Sequence, residues 1–439
     1  MQSFERGGEV RFSVAVAILQ KASQLGSLEP FAFSTCRAVK FYAILFILPL
    51  LVYALVKQVI LPEQSWLGAA WAGDLKMLIE YGAALLAKGD TSPQGRNPYP
   101  PLATGLGALL SYFSFPTSIA LLTALTLVAC LVFAIVWSSA AALRASAESR
   151  KLSFFYMMSG FLSYGFVFEL ERGQFNLLAM ACALSSVLLL EDKSFSRKRC
   201  LAIGLAALSI HLKAYPALLV GYYFLLQVLR DVRRGDRTTA ATTLLLCAGL
   251  NVALLFVFGA STFEGFVRGI AHHFNDSQSW NGNHSLKSFL VGQRASESLG
   301  VVLKFFLLGC SLVALLVYFV RAVLSENAYL QAESLLILFF LGEVLPAVSH
   351  DYKLSCLPLF MVACASAGTV LRGRWGRTQE FLLLSCYPLL CLPYSNLPSF
   401  FHNKFPLLVL LVALPVAFAL TGLRGIIRKF RAAPLGIST

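Results

Sequence analysis

Long apolar runs, separated by short basic or polar hinges, recur from about residue 39 almost to the C-terminus. About 17–25 apolar residues make a helix long enough to cross a hydrocarbon core of roughly 30 Å. The runs at about Val39–Ile60, Ser118–Leu143, Leu152–Phe168, Phe175–Leu190, Thr239–Gly259, Leu299–Leu324, Leu330–Val348, Leu354–Leu371, Phe381–Leu397 and Phe405–Leu423 each predict one pass. The stretch Cys200–Leu229 is too long for one. As a single helix it measures about 45 Å at 1.5 Å per residue, and it puts the next basic cluster on the wrong side. Its middle reads His211-Leu212-Lys213-Ala214-Tyr215-Pro216. The lysine and proline mark a break between two passes that meet at the outer side, where protein or water must cover the irregular backbone. The pattern predicts an all-α polytopic membrane protein of about eleven to twelve passes with both ends inside.

Between the runs lie three outer loops, 61–100, 261–297 and 349–353, within a membrane domain of residues 38–431. In the first, Asp74, Met77, Leu78, Tyr81 and Leu85 share one helical face, which predicts an interfacial helix. Residues 1–37 read as a cytoplasmic segment with one amphipathic helix, and 432–439 as a cytoplasmic tail. Ser13–Leu19 is short and has no A-x-A site, so it is not a signal peptide.

Composition narrows the class further. Of 439 residues 57% are apolar and 13% charged, about half the charged share of a soluble domain. The net charge of +14 is concentrated in hinges. Arg144, Arg150 and Lys151 form one cluster, Lys193, Arg197, Lys198 and Arg199 another, and Arg230, Arg233, Arg234 and Arg237 a third. Arg372, Arg374 and Arg377, and the tail's Arg424, Arg428, Lys429 and Arg431, complete the set. All come out cytoplasmic, as the positive-inside rule requires. The charge sets orientation and attraction to anionic lipid, not nucleic-acid binding. Most cysteines sit inside apolar runs and no C-x-x-C pair occurs, so neither a zinc site nor a disulfide framework is indicated.

The remaining polar residues gather at the outer face: Asp74, Glu171, Arg172, Gln174, Lys213, His272, His273, His284, His350, Asp351 and Lys353. Such a site works on a substrate presented at one surface. A transport path places ionisable groups at mid-bilayer instead, where Glu343 is the one good candidate. It reads either as a site residue or as a buried structural hydrogen bond.

An ordered set of motifs carries a family resemblance. Asp74 and Tyr81 are followed by Tyr99-Pro100-Pro101, Arg172-Gly173-Gln174-Phe175-Asn176 and Lys213-Ala214-Tyr215-Pro216-Ala217. Asn283-His284-Ser285-Leu286 and Ser349-His350-Asp351-Tyr352-Lys353 complete it. Together they resemble glycosyltransferase family 87, polyprenyl-phosphate-sugar-dependent enzymes of the C-type membrane fold, many of them α-mannosyltransferases of the bacterial envelope. One departure is that the usual separate P-Y and Y-P-P elements are compressed here into Pro98–Pro101. The resemblance implies a polyprenyl-phosphate sugar donor, a glycan or glycolipid acceptor, and a multi-pass protein of the cell membrane with its site on the extracytoplasmic side.

The chemistry of such a transfer assigns roles. A carboxylate takes the acceptor's proton, cations hold the departing phosphate, and a single base suits inversion. Asp74 is the expected base, by position and by the family's first-loop Asp; its alternative is a helix N-terminal carboxylate. Arg172, Lys213, His350 and Lys353 are the candidates for the donor phosphate. Arg172 has neutralisation of Glu169 and Glu171 as its alternative, and Lys213 has snorkelling to the interface. Gln174, Asn176, Tyr81 and His284 are the candidates for sugar or acceptor, with helix-start hydrogen bonding open for Gln174 and Asn176. No metal or other cofactor is expected, because adjacent His272 and His273 point apart and no H-x-x-x-H occurs. Two other functions compete: a twelve-pass secondary transporter, and a lipid-linked glycan polymerase or ligase.

Overall fold

A computed structural model describes residues 72–89, 97–144, 147–161, 163–191, 195–275, 283–294, 296–324, 331–346, 349–366, 385–392 and 403–432. The N-terminal segment 1–37, the pass at Val39–Ile60 and residues 433–439 lie outside them. The helices are α1 (Gly73–Lys88), α2 (Pro101–Leu110), α3 (Phe115–Arg144), α4 (Ala147–Phe161), α5 (Tyr164–Arg172), α6 (Asn176–Leu189), α7 (Arg197–Leu212) and α8 (Ala217–Arg233). They continue with α9 (Arg237–Leu255), α10 (Ala260–Asn275), α11 (Leu286–Gly292), α12 (Glu297–Leu324) and α13 (Ala332–Val344). A 3-10 helix (Asp351–Cys356), α14 (Leu357–Ser366) and α15 (Phe405–Ala432) close the order. Among the described residues there is no strand, only an isolated antiparallel bridge between Asn283 and His350.

Apolarity sorts these helices into two kinds. In α6 every residue from Asn176 to Leu188 is buried, and α13 is buried along nearly its whole length. A helix that is apolar all round belongs at the centre of a bundle. By contrast, α3 exposes Leu125, Val128, Leu131 and Ile135, α9 exposes Leu244, Leu245 and Val252, and α12 exposes Val301, Val302, Phe305 and Phe306. Apolar faces of that extent mark a membrane-facing surface. Phe115–Trp137, Arg237–Leu255 and Ser298–Leu324 are the described stretches long and apolar enough to cross a membrane. Other apolar helices, such as α6, are shorter.

The long run Cys200–Leu229 is broken where lysine and proline predicted. Helix α7 ends at Leu212 and α8 begins at Ala217. At the opposite end, Arg199 near the start of α7 pairs with Asp231 near the end of α8, Nη1 to Oδ2 at 2.6 Å. Both side chains are buried, and the contact requires the chain to reverse direction at the break.

Three expectations are corrected. The run Leu152–Phe168 is two helices, because the Ser163 hydroxyl caps α5 by accepting from the Phe166 N–H at 3.2 Å. The turn foreseen over Glu169–Gln174 is tighter: α5 continues through Arg172, and Gly173 ends it at φ 64°. Segment 261–297 is not simply a polar loop, since it contains α10 and α11. Phe263, Phe266, Val267 and Ile270 recur at helical spacing in α10, although Glu264, Arg268 and two histidines between them give the stretch a polar composition.

Candidate functional site

One end of the bundle gathers the starts of α1, α6, α8 and α14 and the ends of α5, α7 and α13. Helix α1 brings Asp74 there. Helices α1 and α2 meet backbone to backbone, because a Cβ on Gly82 would lie 2.0 Å from the Ala108 nitrogen and one on Gly107 2.2 Å from the Leu78 oxygen. Gly173 presses on the same helix, where a Cβ would sit 2.6 Å from that of Leu75. The entry to α1 is itself constrained, with Ala72 in the left-handed region at φ 50°.

That packing delivers Arg172 to Asp74. Arg172 donates from Nε to Oδ2 and from Nη2 to Oδ1, each at 2.9 Å, the bidentate geometry in which guanidinium and carboxylate bind best. Neither partner foreseen for Arg172, phosphate or Glu169 and Glu171, accounts for this. The Asp74 side chain is 12% exposed and that of Arg172 28%. The Tyr99 hydroxyl donates to the Asp74 backbone oxygen at 3.3 Å.

Lys213 leaves the α7–α8 break toward the same tyrosine. Its Nζ donates to Gln174 Oε1 at 2.6 Å and stands 4.9 Å from the Tyr99 ring centre and 4.5 Å from that of Phe175. Rings stabilise an ammonium through their quadrupoles, but among the described residues no carboxylate lies within ion-pair distance. Burial pushes the Lys213 ammonium down to about 8, while the more distant Asp74 and Glu169 oppose the fall. Gln174, expected to read a sugar hydroxyl, has its carbonyl occupied by Lys213.

The loop after α13 supplies the other wall. His350 stacks on Tyr352, ring centres 4.8 Å apart. Burial and the Lys353 charge push the His350 imidazole down to about 3, so it is neutral at physiological pH. Lys353 donates to Ser349 Oγ at 3.3 Å and lies 5.2 Å from the Tyr215 ring centre. Tyr81 meets the cluster through Tyr99, ring centres 6.3 Å apart.

Two residues expected to contact sugar or acceptor, His284 and Asn176, are buried. The His284 ring is fully enclosed, its Nε2 2.8 Å from Glu343 Oε2. Asn176 is buried at the first position of α6, and neither atom of its side-chain amide has a partner among the described residues. Glu343 is a hydrogen-bonded interior group, bonded to His284 and Ser349.

Sequence reasoning missed Glu169. Its carboxylate, wholly buried, accepts from the Leu177 N–H at 2.7 Å and from the Ser355 hydroxyl, tying α5 to the start of α6 and to the 3-10 helix. Burial pushes it up to about 7 against these hydrogen bonds and the Lys213 charge. The available signal was its position directly after the apolar Phe166–Phe168, where a carboxylate needs internal partners.

No group of three or more potential metal ligands occurs among the described residues. His273's side chain, Asp276, and the side chains of Glu171 and Asp351 lie outside what is described.

A helical bundle with apolar outer flanks, carrying a charged cluster at one end, has the character of a membrane protein. The chain belongs to glycosyltransferase family 87, whose family model matches residues 97–346, more than half its length. It is therefore a glycosyltransferase, using a sugar donor and an acceptor, and the transporter alternative is set aside. Arg172, Gln174, Asn176, Lys213 and His284 lie inside the matched stretch; Asp74, Tyr81, His350 and Lys353 lie outside it. No curated protein and no solved structure matches the chain.

Proposed function

We propose that the protein transfers a hexose from a polyprenyl-phosphate carrier to a hydroxyl of an envelope glycan or glycolipid, with inversion. Mannose is the sugar implied by the family resemblance. The reaction occurs at the extracytoplasmic face of the cell membrane, which the chain crosses in about eleven to twelve passes. The observation that carries this reading is the Lys213 ammonium, largely enclosed, held by one amide oxygen and two ring faces. An ammonium so placed is costly without an anion, and a phosphate is the anion the transfer supplies.

In this reading, Asp74 accepts the proton of the acceptor hydroxyl as the new bond to the sugar's anomeric carbon forms. The bond from that carbon to the phosphate oxygen breaks, and the phosphate keeps the electron pair. Of the three carboxylates in the cluster whose side chains are described, Glu169 and Glu343 are fully buried and Asp74 alone reaches solvent. Each Asp74 oxygen accepts one bond from Arg172, and an ionised carboxylate has about four lone-pair sites, so acceptor capacity remains. Arg172 orients the base, and its Nη1, without a partner among the described residues, is available to the phosphate beside Lys213 and Lys353.

Purified protein in proteoliposomes, supplied with a panel of polyprenyl-phosphate sugars and glycolipid acceptors, should release polyprenyl phosphate. Lys213→Ala should lose that release. Turnover of nucleotide sugars and of no lipid-linked donor would end this reading. Release only when the acceptor is itself a lipid-linked glycan chain would favour the polymerase or ligase alternative.

A further inference from the structure

Beneath this partly enclosed cluster lies a polar chain that the transfer chemistry above does not use. Glu343, near the end of α13, accepts at Oε2 from the Ser349 hydroxyl at 3.1 Å and lies 2.8 Å from His284 Nε2. The Ser349 proton is committed to the carboxylate, so its lone pairs face Lys353 Nζ at 3.3 Å. Backbone contacts brace the same unit: the His284 N–H donates to the Ser349 oxygen at 2.8 Å, and the Ser349 N–H to Asn283 Oδ1 at 2.9 Å. One buried carboxylate therefore ties the loops at 283–285 and 349–353 to the interior helix.

We propose that Glu343 is a positioning residue, which through Ser349 keeps Lys353 cationic and aimed at the donor's phosphate. The inference rests on the phosphate role given to Lys353 above. Glu343 faces it from α13 with His284 behind; His350 and Tyr352 flank it in its own loop; Cys356 follows in the 3-10 helix. Tyr215 lies under the ammonium, and Lys213 opposes it as a like charge. Burial pushes the Lys353 ammonium down, and Glu343 is the foremost group holding it up. Removing that carboxylate should leave a lysine that loses its proton at lower pH, and with it its grip on a phosphate.

The test follows acylation of Lys353 in the full-length detergent-solubilised protein across pH 6–10, by mass spectrometry, because only the neutral amine reacts. Glu343→Gln should move the midpoint down by about one pH unit, the lower end of what an opposite charge confers. Glu343→Asp should recover part of the shift. Should Glu343→Gln not fold, Ser349→Ala removes the bridging hydroxyl and should shift the midpoint in the same direction. A midpoint that stays at the wild-type value in the folded variant overturns the inference.

A second arm measures binding of farnesyl phosphate as a probe. Glu343→Gln should lose affinity at lower pH than wild type, and adding Lys353→Arg should restore it, since arginine stays protonated throughout. If the labelling midpoint shifts but Lys353→Ala binds the probe like wild type, the phosphate reading of Lys353 fails while Glu343's hold on that lysine stands.

Discussion

Asp74 and Arg172, 98 residues apart in the chain, are joined by two hydrogen bonds of 2.9 Å. The pair links the first described helix to the end of α5, and it turns two separately chosen candidates into one unit. If Asp74 is the base, Asp74→Asn should fold and bind the lipid donor while turnover falls by about 10²–10⁴-fold, the usual worth of general-base catalysis. Asp74→Glu should recover part of the loss at most, because displacement by about 1 Å costs on the order of a hundredfold. Turnover and melting temperature measured on one Asn preparation decide the matter. Near-wild-type turnover would remove Asp74 from the chemistry and leave it as the anchor of Arg172.

Gly173 is the element that makes the pair possible. Its φ of 64° and the 2.6 Å approach to Leu75 both exclude a side chain. Gly173→Ala should cost about 1–3 kcal/mol in backbone strain alone and push α1 away from Arg172. Activity should fall further than the melting temperature accounts for. An alanine variant with normal activity would show that the Asp74–Arg172 distance is not critical.

The lysine at the α7–α8 break was legible in the sequence, since a lysine and a proline inside a long apolar run demand a structural reason. The Asp74–Arg172 pair was not, because it depends on how α1 packs on Gly173, which neither local spacing nor hydropathy reports. The burial of His284 was illegible for a related reason: a loop histidine reads as accessible, and only the three-dimensional contact with Glu343 shows it enclosed. The role of Glu169 was hidden, since two acids separated by Leu170 and followed by an arginine read as charge neutralisation.

Lys213 should make donor use depend on pH with a definite sign. Its cation is present below a value near 8 and is lost as pH rises through it. Donor affinity in the wild type should therefore decline above about pH 8. Lys213→Ala should lose about 1.5–3 kcal/mol of donor binding, the worth of a charge-assisted contact. Lys213→Arg should bind the donor poorly at pH 7, because a planar fork replaces a point charge between two rings, yet keep its residual affinity flat to higher pH. Donor KM measured from pH 6.5 to 9.5 separates the three proteins. A pH profile in Lys213→Arg that superimposes on wild type would assign the titration to another group.

Glu169 gives a stability prediction. Its carboxyl rises from 4.5 to about 7 in the folded protein, chiefly through burial. The folded state then holds a proton that the unfolded chain releases, so this contribution is complete below about 4.5 and is lost as pH rises through about 7. Wild-type melting temperature should fall across that window relative to Glu169→Gln, which stays neutral and keeps both hydrogen-bond acceptor and donor capacity. Parallel curves for the two proteins between pH 4.5 and 7.5 would show that the buried group does not titrate there.

The far end of the hairpin tests the course of the chain itself. Arg199 and Asp231 are both buried and bond at 2.6 Å, with Thr243 of α9 and Gln227 adding hydrogen bonds. Asp231→Ala should cost about 3–5 kcal/mol, because it strands a buried guanidinium, whereas replacing both partners with apolar side chains, Arg199→Met with Asp231→Leu, should be far milder. The same pair fixes a prediction of sidedness. With α7 and α8 folded back on each other, the ends that carry Arg199 and Asp231 lie side by side, and the basic residues around them predict a cytoplasmic location for both. Reporter fusions after Arg199, Arg237 and Arg377 should therefore read cytoplasm, and those after Asn281 and Asp351 should read the outside. Opposite readings at Arg199 and Arg237 would mean that α7 and α8 cross as one unbroken pass. That outcome cannot coexist with the Arg199–Asp231 contact, so the fusions and the double substitution must agree or the hairpin is wrong.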